Sequence, residues 1–232
     1  MDDAVRLLRT GEMEILGLLP YASNVTLLTK ITDGSDEILA VYKPQRGERP
    51  LWDFPDGTLC AREFAAYVVD SALGWALVPP TVLRDGPAGL GAVQLYIEED
   101  EGFDVREVAR THPNELMRVE LFDAVINNAD RKAGHLIADR DGKLWGVDHG
   151  VCFHVDDKLR TVVWTFEGER VPQGLLDELG AFALDGTWKH DLEDVLSRDE
   201  IDALCSRVTV LLRTKRFPRP PHDRHHVPWP PW

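Results

Sequence analysis

The stretch Asn128–Gly150, NADRKAGHLIADRDGKLWGVDHG, decides how the rest of the chain is read. It sets three proton- or metal-handling side chains, Asp130, His135 and Asp148, around one predicted β-hairpin. Asp141-Gly142 is a favoured dipeptide for a two-residue turn, because both positions tolerate φ > 0. Folding the chain at that dipeptide makes His135 and Asp148 cross-strand neighbours, with Cβ atoms roughly 5 Å apart. One inserted bulge would break that match. If the match holds, an imidazole and a carboxylate converge beside Asp130, on the loop before the first strand. That is a divalent-metal site with a catalytic carboxylate next to it. The competing reading is a surface His–Asp pair at a hairpin end.

Composition narrows the alternatives. The 232 residues are enough for one large domain or two lobes sharing a cleft, and 44% hydrophobic residues can bury a core. Cys60, Cys152 and Cys205 are widely spaced with no CxxC, which argues against a disulfide framework or zinc site and for a reducing cytoplasm. The opening residues lack a signal-peptide pattern, and no apolar run approaches a membrane span. A formal net charge of −14 disfavours nucleic acid as a principal partner and tight docking to an anionic bilayer. A polyanion such as ATP then needs a locally basic or metal-bridged site.

Working outward, residues 1–10 read as a short amphipathic helix, and Glu12–Leu18, Asn24–Thr32 and Glu37–Lys43 as strands. Residues 44–57 are loop by their Pro and Gly content. A helix is expected from Thr58 to about Leu73, then strands Val78–Leu83 and Ala92–Ile97. Glu98–Gly102 suits an exposed acidic linker. Beyond it come a helix Asn114–Asn127 capped by Asn114, the hairpin, an irregular segment Val151–Val171, a helix from Pro172 to about Phe182, and a last helix from Arg198 capped by Ser197. The tail from Thr214 to Trp232 is rich in Pro, basic residues and Trp, and is expected to form no packed element. The expected division is residues 1–98, 99–213 and the tail 214–232.

Lys43 ends the third strand on one face with Leu39 and Val41. A lysine on an apolar face needs an anion, because a lone buried charge is costly. Glu63, in the following helix, is the natural candidate. An exposed lysine and an ordinary helix glutamate are the alternative for either residue alone.

The order of parts is strands, a strand ending in Lys, a helix carrying Glu, two strands, an acidic linker, a helix, Asp130, a hairpin and the triplet Asp148-His149-Gly150. In that order and spacing the chain resembles the protein-kinase-like fold over roughly residues 11–185. Within that fold it resembles the atypical branch of phosphatidylinositol 3- and 4-kinases and HipA-type kinases, and most of all an actinobacterial group related to the phosphatidylinositol 3-/4-kinases. The resemblance implies an α+β, two-lobed molecule: an antiparallel-sheet N-lobe with one helix, and a mainly helical C-lobe with a catalytic hairpin.

The resemblance also implies roles. Lys43 would hold the α/β-phosphates and Glu63 would orient it. Asp130 would be the catalytic aspartate and Asp148 the metal-binding one, with His149 in place of the usual Phe. His135 stands where the family places a metal-binding asparagine, which shifts the expected ion from Mg²⁺ towards Mn²⁺. The Gly-rich phosphate loop is missing. Ser23 and Asn24 would supply phosphate contacts instead, or form a plain polar turn. Adenine would sit by the linker near Gln94, Tyr96 and Ile97. Arg131 and Lys132 could neutralise phosphate or be solvated loop charges. The implied activity is ATP- and metal-dependent transfer of a phosphoryl group to a hydroxyl of a protein or small molecule, a lipid being disfavoured by charge. A pseudokinase acting through partners, or an AMP-transferring enzyme on the same fold, remain the alternatives.

Overall fold

The computed structural model describes residues 2–20 and 24–232, so Ser23 lies outside the described residues. Helix α1 (Asp2–Thr10) precedes three strands, β1 (Glu12–Leu18), β2 (Leu27–Asp33) and β3 (Asp36–Pro44). Helix α2 (Leu59–Leu73) follows, then β4 (Thr81–Gly86) and β5 (Gly89–Leu95). The five strands form one antiparallel sheet in the order β1-β2-β3-β5-β4. Alternation along β3 sends Ala40 and Tyr42 into a core shared with Leu8, Ile31, Val82 and Val93. The opposite face of the same strand, Val41 and Lys43, looks into a cleft. Lys43 is therefore mostly buried in a cleft wall, its side chain 19% exposed.

Strand boundaries differ from expectation where prolines intervene. Pro79 and Pro80 have no N–H to donate, so β4 starts only at Thr81. The turn to β5 closes at the Gly86–Gly89 pair, inside the Gly/Pro stretch expected between the two strands. Strand β2 begins at Leu27, three residues later than the alternation suggested.

The remaining elements are helical apart from one hairpin: α3 (Val108–Thr111), α4 (Pro113–Ile126), β6 (Leu136–Ala138), β7 (Leu144–Gly146), α5 (Gln173–Asp185), α6 (Trp188–Leu192) and α7 (Arg198–Thr214). Pro113 takes the first position of α4, displacing Asn114 from the cap role expected for it. Pro172 is the residue before α5, which runs on to Asp185. At α7 the expected cap is present: Ser197 Oγ accepts from the Glu200 N–H, and Glu200 reaches back to the Ser197 N–H. Helix α2 sits between the two halves. Its Ala65, Ala66, Val69 and Leu73 belong to the large helical core with Val125, Leu179 and Leu204. Arg62, also on α2, is fully buried and donates to Glu200 at 2.6 Å and to the Cys152 carbonyl at 2.7 Å.

The hairpin turn is one residue longer than expected. Leu136 pairs with Gly146 and Ala138 with Leu144, a shift of one from the register that a two-residue Asp141-Gly142 turn would give. Asp139 causes the shift. Its Oδ1 accepts from the N–H groups of Asp141 and Lys143, and its Oδ2 from Trp145 Nε1 at 2.8 Å. Gly142 supplies the left-handed residue (φ 80°) that closes the longer loop.

The tail is also corrected in part. It forms no helix or strand, but it is packed. Phe217 is buried against the helical core. Further along, the His226 carbonyl accepts from the Thr161 N–H at 3.0 Å and the Pro231 carbonyl from the Ala133 N–H at 2.9 Å. Trp164 Nε1 also donates to His226 O, and Arg224 pairs with Asp157 at 2.7 Å. The segment behaves as a strap laid over residues 157–168.

Candidate active site

A cleft of about 620 Å³ opens between the cleft face of the sheet and the hairpin. Lys43, Glu63, Asp130, His135 and Asp148 all line it, as do Asn24, Gln94, Tyr96 and Ile97. These nine residues line one cleft, whereas Arg131 and Lys132 do not line it.

Lys43 reaches from the end of β3 to the carboxylate of Glu63 on α2 and, at 3.0 Å, to Asp148 Oδ1. Burial works against the Lys43 charge, but Asp148 and Glu63 outweigh it and hold its pKa well above the usual lysine value. In turn the ammonium is the main reason Asp148 stays ionised far below the usual carboxylate range. Burial pushes Glu63 the other way, upward, and Lys43 only partly offsets it. The second oxygen of Glu63 accepts from the His149 N–H at 3.0 Å. One glutamate therefore fixes both the lysine and the backbone just after Asp148.

His135 and Asp148 do converge, with Nε2 and Oδ2 3.3 Å apart, but not by the expected pairing. In the actual register His135 sits opposite Val147, whose N–H donates to its carbonyl. Asp148 then takes a left-handed backbone (φ 61°), which ends the ladder and swings its carboxylate back towards Lys43 and His135. Burial lowers the His135 pKa to about 4, against the pull of Asp148, so the ring is neutral near pH 7. Neutral imidazole and ionised carboxylate are the protonation states a cation requires. Among the described residues no group of three or more His, Cys, Asp or Glu side chains could hold a metal. The donor set fits a divalent ion that takes its other ligands from phosphate oxygens and water.

Asp130 sits on the loop after α4, its Oδ2 3.0 Å from Lys132 Nζ. Burial raises its pKa, and Lys132 limits the rise. The loop is pinned from behind. Asn128 Oδ1 accepts from the Asp130 N–H, while Asn128 Nδ2 and Arg131 both donate to Asp123. Arg131 is neither a phosphate ligand nor a solvated charge. It is 1% exposed, paired with Asp123 at 3.1 Å, and donates to the Val147 carbonyl and to His149 Nε2. His149 is buried edge-on to Phe122 and held neutral, its pKa pushed well below the usual value by burial and by Arg131. Asp123 escaped the sequence reading, although a lone carboxylate inside the apolar run LFDAVI was a usable signal.

At the other end of the cleft Gln94 is buried and donates to Thr81 Oγ1 at 2.9 Å. The Tyr96 N–H is spent on the Leu39 carbonyl, and Tyr96, partly exposed, lines the cleft. The Asn24 side chain accepts from the Arg49 N–H at 2.8 Å, so it ties two loops together.

No family model matches the sequence. Among solved structures the fold is similar to a Golgi casein kinase crystallised with Mn/ADP bound (TM-score 0.58, 13% identity, 92% of this chain and 74% of that one). It is also similar to the Helicobacter pylori proinflammatory kinase CtkA (TM-score 0.54, 12% identity, 90% of this chain and 94% of that one). At such identities the likeness shows the fold, which is protein-kinase-like and α+β. Phosphatidylinositol 4-kinase gamma 3 of Arabidopsis thaliana is 30% identical over 45% of this chain, which spans 24% of that kinase. Phosphatidylinositol 4-kinase gamma 4 of Oryza sativa is 27% identical over 45% of the chain and 22% of its own length. Protein Rv2133c of Mycobacterium tuberculosis is 40% identical across 99% of this chain and 95% of its own length. The chain belongs to the family of Protein Rv2133c from Mycobacterium tuberculosis.

Proposed function

We propose that the chain is a kinase that uses ATP and a divalent metal to phosphorylate a hydroxyl group on a protein or small molecule. One observation carries the reading: Lys43 bridges Glu63 and Asp148 in a cleft that Asp130 also lines. In this reading Gln94, Tyr96 and Ile97 border the adenine, and Lys43 orients the α/β-phosphates. Glu63, fixed by the His149 N–H, sets the reach of Lys43. Asp148 and His135 would hold the divalent ion, which when bound supplies positive charge against the phosphate oxygens. Asp130 accepts a hydrogen bond from the acceptor hydroxyl and takes its proton as the new O–P bond forms and ADP leaves. Its raised pKa suits a group that must gain a proton during transfer. Ser23 and the Asn24 backbone belong to the phosphate end of the same proposal.

Charge disfavours a lipid acceptor. Among the described residues no helix is long and apolar enough to cross a membrane. In the segment 151–171 Lys158 is committed to Asp53 at 2.7 Å, which leaves fewer cations for a headgroup.

The test is to incubate the protein with ATP and Mg²⁺ or Mn²⁺ and resolve the nucleotide products. ADP formation that disappears in Asp130→Asn supports phosphoryl transfer. AMP and pyrophosphate would instead support AMP transfer. No turnover with intact ATP binding would support a pseudokinase.

A further inference from the structure

We infer that Arg49 is a phosphate-binding residue and that loop 44–57 takes over part of the work of the missing glycine-rich turn. The inference rests on the nucleotide reading of the cleft. It starts from charge. The cleft is lined by Glu48, Glu63, Glu99, Asp130 and Asp148, and among the described residues only two lining it, Lys43 and Arg49, carry a permanent positive charge. Lys43 is already shared between Glu63 and Asp148. Arg49 forms no ion pair among the described residues, and its guanidinium makes no hydrogen bond there. A polyphosphate entering this cleft therefore meets one uncommitted guanidinium, whose planar fork suits phosphate oxygens.

The loop presents that group from a fixed frame. Gly47 packs so tightly on Val25 that an added Cβ would lie 2.4 Å from the Val25 Cβ. The Val25 N–H donates to the Gly47 carbonyl at 3.0 Å, and the Arg49 N–H to Asn24 Oδ1 at 2.8 Å. On the other side the Glu48 carboxylate accepts from the N–H groups of Leu59 and Cys60 at 3.0 and 2.7 Å, at the start of α2. Residues 47–49 are thus clamped between the β1–β2 turn and the helix that carries Glu63. That is the end of the cleft away from Gln94–Ile97, where the phosphates lie if adenine lies by the linker. The backbone of Arg49 is held while its side chain makes no hydrogen bond or ion pair among the described residues, which is the arrangement of a ligand-binding arm.

The experiment is calorimetric titration of the full chain with ATP and with adenosine in the presence of Mg²⁺, for wild type, Arg49→Gln and Arg49→Lys. Because Arg49 is exposed and its guanidinium makes no hydrogen bond among the described residues, the variants keep the wild-type melting temperature, which is measured alongside. The expected result is a loss of about tenfold or more in ATP affinity for Arg49→Gln, from a lost charged hydrogen bond. Adenosine binding is unchanged and Arg49→Lys recovers part of the loss. Wild-type ATP affinity in Arg49→Gln overturns the assignment, as does an equal loss for ATP and adenosine. Wild type that binds neither ligand overturns the nucleotide reading itself, so the two failures are distinguishable.

Discussion

Lys43 joins the two halves of the cleft: it donates to Glu63 on α2 and to Asp148 after the hairpin, and both carboxylates keep it charged against burial. Its place at the end of an alternating strand, with Glu63 in the next helix, was enough to pair them, because strand and helix periods fix which way each side chain points. The third partner, Asp148, was read as a candidate metal ligand but not as the group that stabilises Lys43, since that depends on the left-handed backbone at Asp148. Arg131 was not legible at all. Only the folded loop shows that it is buried against Asp123. At this scale Lys43→Ala should weaken ATP binding by about 1.5–3 kcal/mol, the worth of a charged hydrogen bond, as read by calorimetry. Unchanged affinity would count against the lysine's role. Asp130→Asn should lower the rate of transfer by roughly 10²–10⁴ while leaving the ATP affinity near wild type. A variant that still turned over at the normal rate would remove Asp130 from the mechanism.

Element boundaries followed the sequence where a side-chain cap speaks, as at Ser197 of α7. They failed where a side chain competes with the turn dipeptide. Asp139 absorbs three donors and lengthens the hairpin loop by one residue, which no count of Asp-Gly signals reveals. Asp139→Ala should therefore cost on the order of 1–3 kcal/mol and speed amide exchange over residues 141–145, since three donors lose a partner. Exchange at the wild-type rate would mean the dipeptide alone holds the turn. Helix α2 offers a pH test. Asp70, buried near its end, accepts from the Val78 N–H at 2.9 Å, and burial raises its pKa to about 6. The folded state then holds this proton more tightly than the unfolded chain. Its contribution to stability is complete below the ordinary aspartate pKa and is lost as pH rises through about 6. Melting temperatures across that window should fall for wild type and fall less for Asp70→Asn. Parallel curves would show that Asp70 does not titrate there.

Across the whole molecule, the kinase-like order of parts was visible because each part has its own local signature. The strap was not, because proline-rich sequence carries no period and its docking depends on backbone carbonyls meeting distant N–H groups. Deleting residues 222–232 keeps the buried Phe217 but removes the partners of Thr161 and Ala133. Faster amide exchange at both positions is expected, and unchanged protection would show that the strap does not hold them.

We propose that the cleft binds ATP through a divalent ion held at Asp148. A thermal-shift titration with ATP, in Mg²⁺ and in Mn²⁺ separately, tests it on wild type and Asp148→Ala. The expected result is a metal-dependent rise in melting temperature that saturates with ATP for wild type and is lost in Asp148→Ala. No rise with either metal, or an equal rise in the variant, would contradict it.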